Sequence, residues 1–283
     1  MKELIETWQA RDGTELFTRR WLPDTEAKAG IALVHGLGEH SGRYQHVAAH
    51  FTRAGYMVQS VDLRGHGKTP GPRGHADSMD LILQDIDLLL EKLAKVNPGR
   101  PRFLYGHSLG GLLVLYYALR YKTALCGVIS SAPGLTTVLH KQIAKVNLVR
   151  ILGSLTPRLT IPTGLNVNDI SRDRQVVDAY LADPLVHNRS SLGFGKGMLD
   201  MVNWVQAHPQ QFRLPLLVIH GSADQLGYPR GSQEFARLVP GNVTYKLWEG
   251  LYHELHNEPE KEQVLQYLLG WMDQQLILQA ENE

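Results

Sequence analysis

Arg102-Phe103-Leu104-Tyr105-Gly106-His107-Ser108-Leu109-Gly110 decides the fold. Its first four residues form a short apolar run of strand character, and from Leu109 to about Arg120 the apolar residues recur with a helical period. Between them Gly106-His107-Ser108-Leu109-Gly110 satisfies G-x-S-x-G. A serine at a sharp strand-to-helix turn is held in strained backbone geometry, and glycines two residues to either side remove side chains that would clash. Such a turn lifts the hydroxyl out of the fold and directs a helix N-terminus toward developing negative charge. A glycine-rich turn whose serine merely caps a helix shares the pattern. The strand before it and the helix after it favour a nucleophile.

Working outward, the same alternation recurs on both sides. Leu4 to Trp8 and Glu15 to Trp21 read as a hairpin across Asp12-Gly13. Ile31 to Val34, Tyr56 to Val61 and Leu125 to Ser130 read as strands, with helices over Tyr44 to Ala54 and Leu81 to Leu93. Strands alternating with helices predict an α/β fold, a mostly parallel central sheet flanked by helices. Beyond Pro133 the alternation stops. Leu139, Ile143, Val146, Val149 and Leu152 recur at roughly helical spacing, Gln175 to Leu181 reads as a short helix, and Pro157, Pro162, Gly193, Gly195 and Gly197 act as punctuation. Strand character returns at Leu216 to Ile219 and Val243 to Trp248, before a final helix from about Pro259 to Leu276. The expected organisation is a core over residues 1–132, a helical cap inserted over 133–209, and the rest of the core over 210–283.

A serine hydroxyl attacks only when a base takes its proton and a third group orients that base. In open α/β sheets such groups gather at the carboxyl ends of strands. Asp224 follows Leu216 to Ile219 through His220-Gly221-Ser222-Ala223, and His253 follows Val243 to Trp248 through Glu249-Gly250-Leu251-Tyr252. Ser108, Asp224 and His253 are therefore the expected nucleophile, orienting acid and general base. Asp224 could instead serve only to close an Asx-turn.

His35-Gly36-Leu37-Gly38-Glu39-His40-Ser41-Gly42-Arg43-Tyr44, Asp62-Leu63-Arg64-Gly65-His66-Gly67, the serine turn and Gly250-Leu251-Tyr252-His253-Glu254 together resemble the monoacylglycerol lipase and lysophospholipase group of α/β-hydrolases. Ala182-Asp183-Pro184-Leu185-Val186-His187 is similar to the group's cap. The likeness runs along nearly the whole chain. It implies the α/β-hydrolase fold and oxyanion donation by the backbone N–H groups of Leu37 and Leu109. It also implies cleavage of mono-acyl lipid esters, foremost monoacylglycerol to fatty acid and glycerol. Lysophospholipids, short-chain esters, an amide bond or acyl transfer stay open, as does a non-catalytic ligand-binding protein on the same fold. One departure is visible: Gln225-Leu226-Gly227-Tyr228 follows the acid where the group carries a β-branched residue, which bears on the pocket wall and the acyl preference.

Other classes are excluded or disfavoured by composition. A net charge of +1 provides no global field toward nucleic acid, and the Arg19-Arg20 and Arg64, Lys68, Arg73 groups read as solvated charge. Cys126 is the only cysteine, which forbids an intramolecular disulfide. Gly67-Lys68-Thr69 lacks the first glycine of a phosphate-binding loop, because Asp62 stands there. His253-Glu254-Leu255-His256 is one residue short of the zinc pattern, so neither a metal nor another cofactor is expected. No signal-like start or membrane-length apolar run occurs, which points to the cytoplasm; a transient contact of the cap with a membrane surface stays open. Oligomeric state is not legible.

Overall fold

A computed structural model describes residues 1–137 and 143–281. Leu139 lies outside the described residues. The chain opens with the antiparallel hairpin of β1 (Lys2–Gln9) and β2 (Glu15–Leu22), turning at Gly13. β3 (Ala29–Val34), α1 (Gln45–Arg53), β4 (Tyr56–Val61), α2 (Met79–Val96), β5 (Arg102–His107), α3 (Leu109–Arg120) and β6 (Gly127–Ser131) follow. The last part of the chain adds β9 (Leu216–Gly221), α7 (Pro229–Leu238), β10 (Val243–Trp248) and α8 (Lys261–Ala280). The eight strands are ordered β1-β2-β4-β3-β5-β6-β9-β10, and every pairing from β4 to β10 is parallel. The expected mostly parallel sheet flanked by helices is thus the observed one.

Successive strand side chains face opposite ways, so the sheet divides the apolar residues into two cores. Ala32, Val34 and Leu104 pack with Leu89 of α2, Leu113 of α3 and Phe235 of α7. Ile31, Leu33, Phe103 and Tyr105 pack on the other side with Phe51 of α1 and Leu268 of α8. Helix α3 is buried nearly all round, which fits its almost uniformly apolar sequence.

Between β6 and β9 stand α4 (Ile143–Leu155), β7 (Thr160–Pro162), α5 (Arg174–Ala182), β8 (Arg189–Ser191) and α6 (Leu192–Ala207). Two expectations fail here. β7 and β8 pair as a small antiparallel sheet where no strand was foreseen, because three-residue strands carry no period to read. Gly193, Gly195 and Gly197 do not interrupt a helix; they lie inside α6. A Cβ on Gly193 would stand 2.8 Å from the Pro157 side chain, and one on Gly197 2.8 Å from that of Met79. These glycines offset their poor helix propensity by letting neighbouring segments come close. Phe194, Met201, Val202 and Val205 carry α6 into the main core. The sequence reading also overlooked α7, whose opening Pro229 suits a first helical turn. Nor is Arg64 a solvated charge: it is buried between Asp85 and Asp12.

Candidate active site

The turn after β5 has the strain that its sequence predicts. Ser108 takes φ 55° and ψ −113°, a left-handed φ that among the described non-glycine residues only Ala132 shares. A Cβ on Gly106 would lie 2.1 Å from the Gly110 carbonyl oxygen, and one on Gly110 2.1 Å from that of Val34. Neither position can carry a side chain, since backbone atoms block both.

The three predicted residues meet. Ser108 Oγ lies 2.8 Å from His253 Nε2, and His253 Nδ1 lies 2.7 Å from Asp224 Oδ2. Asp224 sits just past β9 and His253 just past β10. The two loops are pressed together: Ala223 N donates to Leu251 O at 3.1 Å, and a Cβ on Gly221 would fall 2.3 Å from that same oxygen. Asp224 also closes a turn, its Oδ1 accepting the amides of Leu226 at 2.8 Å and Gly227 at 2.9 Å. Asp224 therefore has an oxygen for each contact: one faces the loop and the other faces the histidine.

Burial opposes charge on Asp224, but His253 and His220 outweigh it and hold the carboxyl well below its usual range. Burial likewise opposes protonation of His253, and the adjacent Asp224 overcomes that and raises its pKa. A buried carboxylate with all its lone-pair directions occupied thus stabilises the imidazolium that forms when a proton arrives.

His220 carries a share of this that the sequence did not reveal. Its Nε2 faces Asp224 Oδ2 at 3.0 Å and Gly227 O at 2.8 Å, both acceptors, so Nε2 bears the hydrogen. Nδ1 is then free to accept from Ser232 Oγ at 2.8 Å. A histidine four residues ahead of the acid, at a strand's last turn, was the available signal.

The loop after β3 passes beside Ser108, for a Cβ on Gly36 would lie 3.3 Å from Ser108 Cβ. Among the described residues the amides of Leu37 and Leu109 donate to no backbone carbonyl, whereas the amide before each is occupied: Gly36 N bonds Glu39 Oε1 at 2.6 Å and Ser108 N bonds Ser131 O at 2.9 Å. Glu39 is buried and accepts from Tyr44 as well as Arg43. Burial disfavours its charge, but Arg43 and neighbouring histidines bring its pKa down to about 2. Arg43 also forms a two-pronged pair with Glu254, next to His253, at 2.7 Å for each bond. One half-buried guanidinium therefore ties the loop of Leu37 to the loop of His253. The second motif serves the same loop, because Asp62 Oδ1 accepts from both the amide and the hydroxyl of Ser41. Behind the site His107 is buried beside His253 and pushed down to about 3, so it stays neutral.

Among the described residues no three His, Cys, Asp or Glu side chains are grouped to hold a metal ion. The chemistry this arrangement can perform is activation of a hydroxyl by an oriented imidazole.

Comparison with known proteins agrees with that geometry. Residues 25–260 match the Hydrolase_4 family, described as serine aminopeptidase, S33. The chain is 35% identical over 254 residues to a monoacylglycerol lipase of Mycolicibacterium smegmatis, covering 89% of this chain and 90% of that protein. It is 40% identical over its full length to an abhydrolase domain-containing protein of Dictyostelium discoideum, of which it spans only 30%. The crystal structure of the Paleococcus ferrophilus monoacylglycerol lipase superposes with a TM-score of 0.86 at 33% identity, covering 92% of this chain and 99% of that one. The chain belongs to the serine aminopeptidase S33 hydrolases, within the monoacylglycerol lipase and lysophospholipase group of the α/β-hydrolase fold.

Proposed function

We infer that this protein is a carboxylic ester hydrolase that cleaves monoacylglycerol to a fatty acid and glycerol through an acyl-enzyme on Ser108. The observation that carries this reading is the unbroken hydrogen-bonded line from Ser108 Oγ through His253 to Asp224. His253 Nε2 takes the serine proton as Oγ bonds to the ester carbonyl carbon, and Asp224 holds the resulting imidazolium. The Leu37 and Leu109 amides receive the oxyanion, a contribution of about 2.7–4 kcal/mol for each such donor. The intermediate collapses as His253 protonates the departing glycerol oxygen. Water then gives its proton to His253 and attacks the acyl carbon, freeing the acid and restoring the serine.

Residues 133–209 serve as the cap in this reading. Leu148, Ile151, Leu155, Leu159 and Leu165 are exposed there, an apolar surface suited to transient contact with a lipid interface. Among the described residues no helix is long and apolar enough to cross a membrane.

The test is a hydrolysis panel of monoacylglycerols of several chain lengths, p-nitrophenyl esters, lysophosphatidylcholine and a peptide amide, run with wild type and Ser108→Ala. Wild type is expected to turn over monoacylglycerol and to label with a fluorophosphonate, and the variant to do neither. Undiminished turnover by Ser108→Ala rejects the nucleophile; preference for lysophosphatidylcholine or the amide rejects the substrate.

A further inference from the structure

The loop after β3 is held from the cap as well as from the core. On one side of Leu37, Gly36 N is bound by Glu39. On the other side the first two fixed points belong to the cap segment 183–187, ahead of the core anchors at Ser41 and Arg43. His187 N donates to Gly38 O at 2.9 Å, and Asp183 Oδ2 lies 2.8 Å from His40 Nε2. The approach at Gly38 is close enough that a Cβ there would fall 2.3 Å from His187 O, and φ is +78°. His40 is buried, and its Nδ1 accepts the Gly42 amide at 3.1 Å, which leaves the hydrogen on Nε2 to be donated to Asp183. The other Asp183 oxygen accepts the Leu185 amide at 2.8 Å and so shapes the cap segment itself. His187 Nε2 in turn reaches Gly65 O at 3.1 Å, anchoring this segment to a second core loop.

We propose that the cap is part of the catalytic apparatus, with Asp183 and His40 acting as positioning residues that hold the Leu37 amide where the oxyanion forms. The idea rests on the reading of Leu37 as an oxyanion donor given above. An oxyanion donor stabilises the transition state only if it is already in place, and small displacements of a reacting group cost rate steeply. Core groups hold the Leu37 loop at Gly36 and, farther along, at Ser41 and Arg43; between these the cap fixes Gly38 and His40. Asp183 bonds to His40 and Leu185 and to none of Ser108, Asp224 and His253. Its effect should therefore fall on kcat and on affinity for a charged tetrahedral adduct, with little change in KM.

Four variants test this with p-nitrophenyl butyrate and a trifluoromethyl ketone inhibitor, whose hemiketal oxyanion needs the same amides. Asp183→Ala is expected to lower kcat and weaken the ketone in parallel, each roughly ten- to hundredfold, while KM stays within about threefold. Asp183→Asn keeps one acceptor oxygen, enough for His40 or Leu185 but not for both in place, and should fall between Asp183→Ala and wild type. His40→Asn keeps an acceptor for the Gly42 amide but is too short to reach Asp183, so it should match Asp183→Ala and decides the matter if that variant does not fold. Wild-type kcat and ketone affinity in folded His40→Asn would overturn the brace, as would wild-type values of both in folded Asp183→Ala. Ser108→Ala separates the two levels: undiminished turnover there defeats the underlying mechanism, whereas a crippled Ser108→Ala with unaffected brace variants defeats the brace alone.

Discussion

His220 and His253 converge on a single oxygen, Asp224 Oδ2, which stands 3.0 Å from the first and 2.7 Å from the second. The other oxygen is saturated by two backbone amides. Four donors thus hold the acid as a fully buried anion, and the histidine that does not face the serine limits how much of that charge the other one feels.

Replacing His220 should therefore show in the pH profile. His220→Ala removes a donor from Asp224, leaving more negative charge for His253 and raising its pKa further. Because the base must be neutral to act, the acid limb of kcat/KM should move to higher pH, with kcat falling about tenfold. Profiles of wild type and variant over pH 5–9 check this; a limb that stays put or moves down rejects it.

For the native enzyme the sign is similarly set. Asp224 raises the His253 pKa, so activity should rise with pH through a midpoint above the ordinary histidine value of about 6.5. Asp224→Asn removes that cause and releases the imidazole tautomer, which should cost on the order of 10⁴ in kcat. Stopped-flow or steady-state rates on a soluble ester will measure both.

Arg43 is the sole cation that Glu39 and Glu254 share among the described ion pairs. Arg43→Met should destabilise the protein by about 3–5 kcal/mol, because two buried carboxylates lose their partner. Denaturant unfolding measures it, and a change below about 1 kcal/mol would contradict it. The native pair also has a pH signature. Glu39 has a depressed folded-state pKa, so its contribution is present above the unfolded value of about 4.3. It should be lost as pH falls toward the folded value of about 2.

Glycines near the site should divide into intolerant and tolerant. Gly106→Ala and Gly110→Ala each place a methyl about 2.1 Å from a backbone oxygen and should destabilise by about 3 kcal/mol or prevent folding. Gly227→Ala is different, since its nearest neighbours, Asp224 and His253, lie 3.6 Å away, an ordinary contact. It should fold with stability changed by less than about 1 kcal/mol, and any effect should fall on acyl preference in the hydrolysis panel. Thermal melts separate the two groups.

Much of this protein could be read along the chain. The strand, strained serine and helix around Ser108 are local, dictated by period and by glycine, and so were legible. Asp224 and His253 were legible because parallel strands deliver their loops to one sheet end. The glycines of α6 were misread because their reason is the nearness of Pro157 and Met79, which no local pattern encodes.

Local pattern was enough for the alternation that makes the sheet, for the strained turn at Ser108, and for the three residue types expected to act together there. Tertiary structure alone decided which remote groups share a carboxylate or a guanidinium: His220 with His253, Glu39 with Glu254, and His40 with Asp183 across 143 positions. The physical reason is that period and propensity act over a few residues. A hydrogen bond between distant segments depends on how whole elements pack, and that is set by the summed burial of both apolar cores.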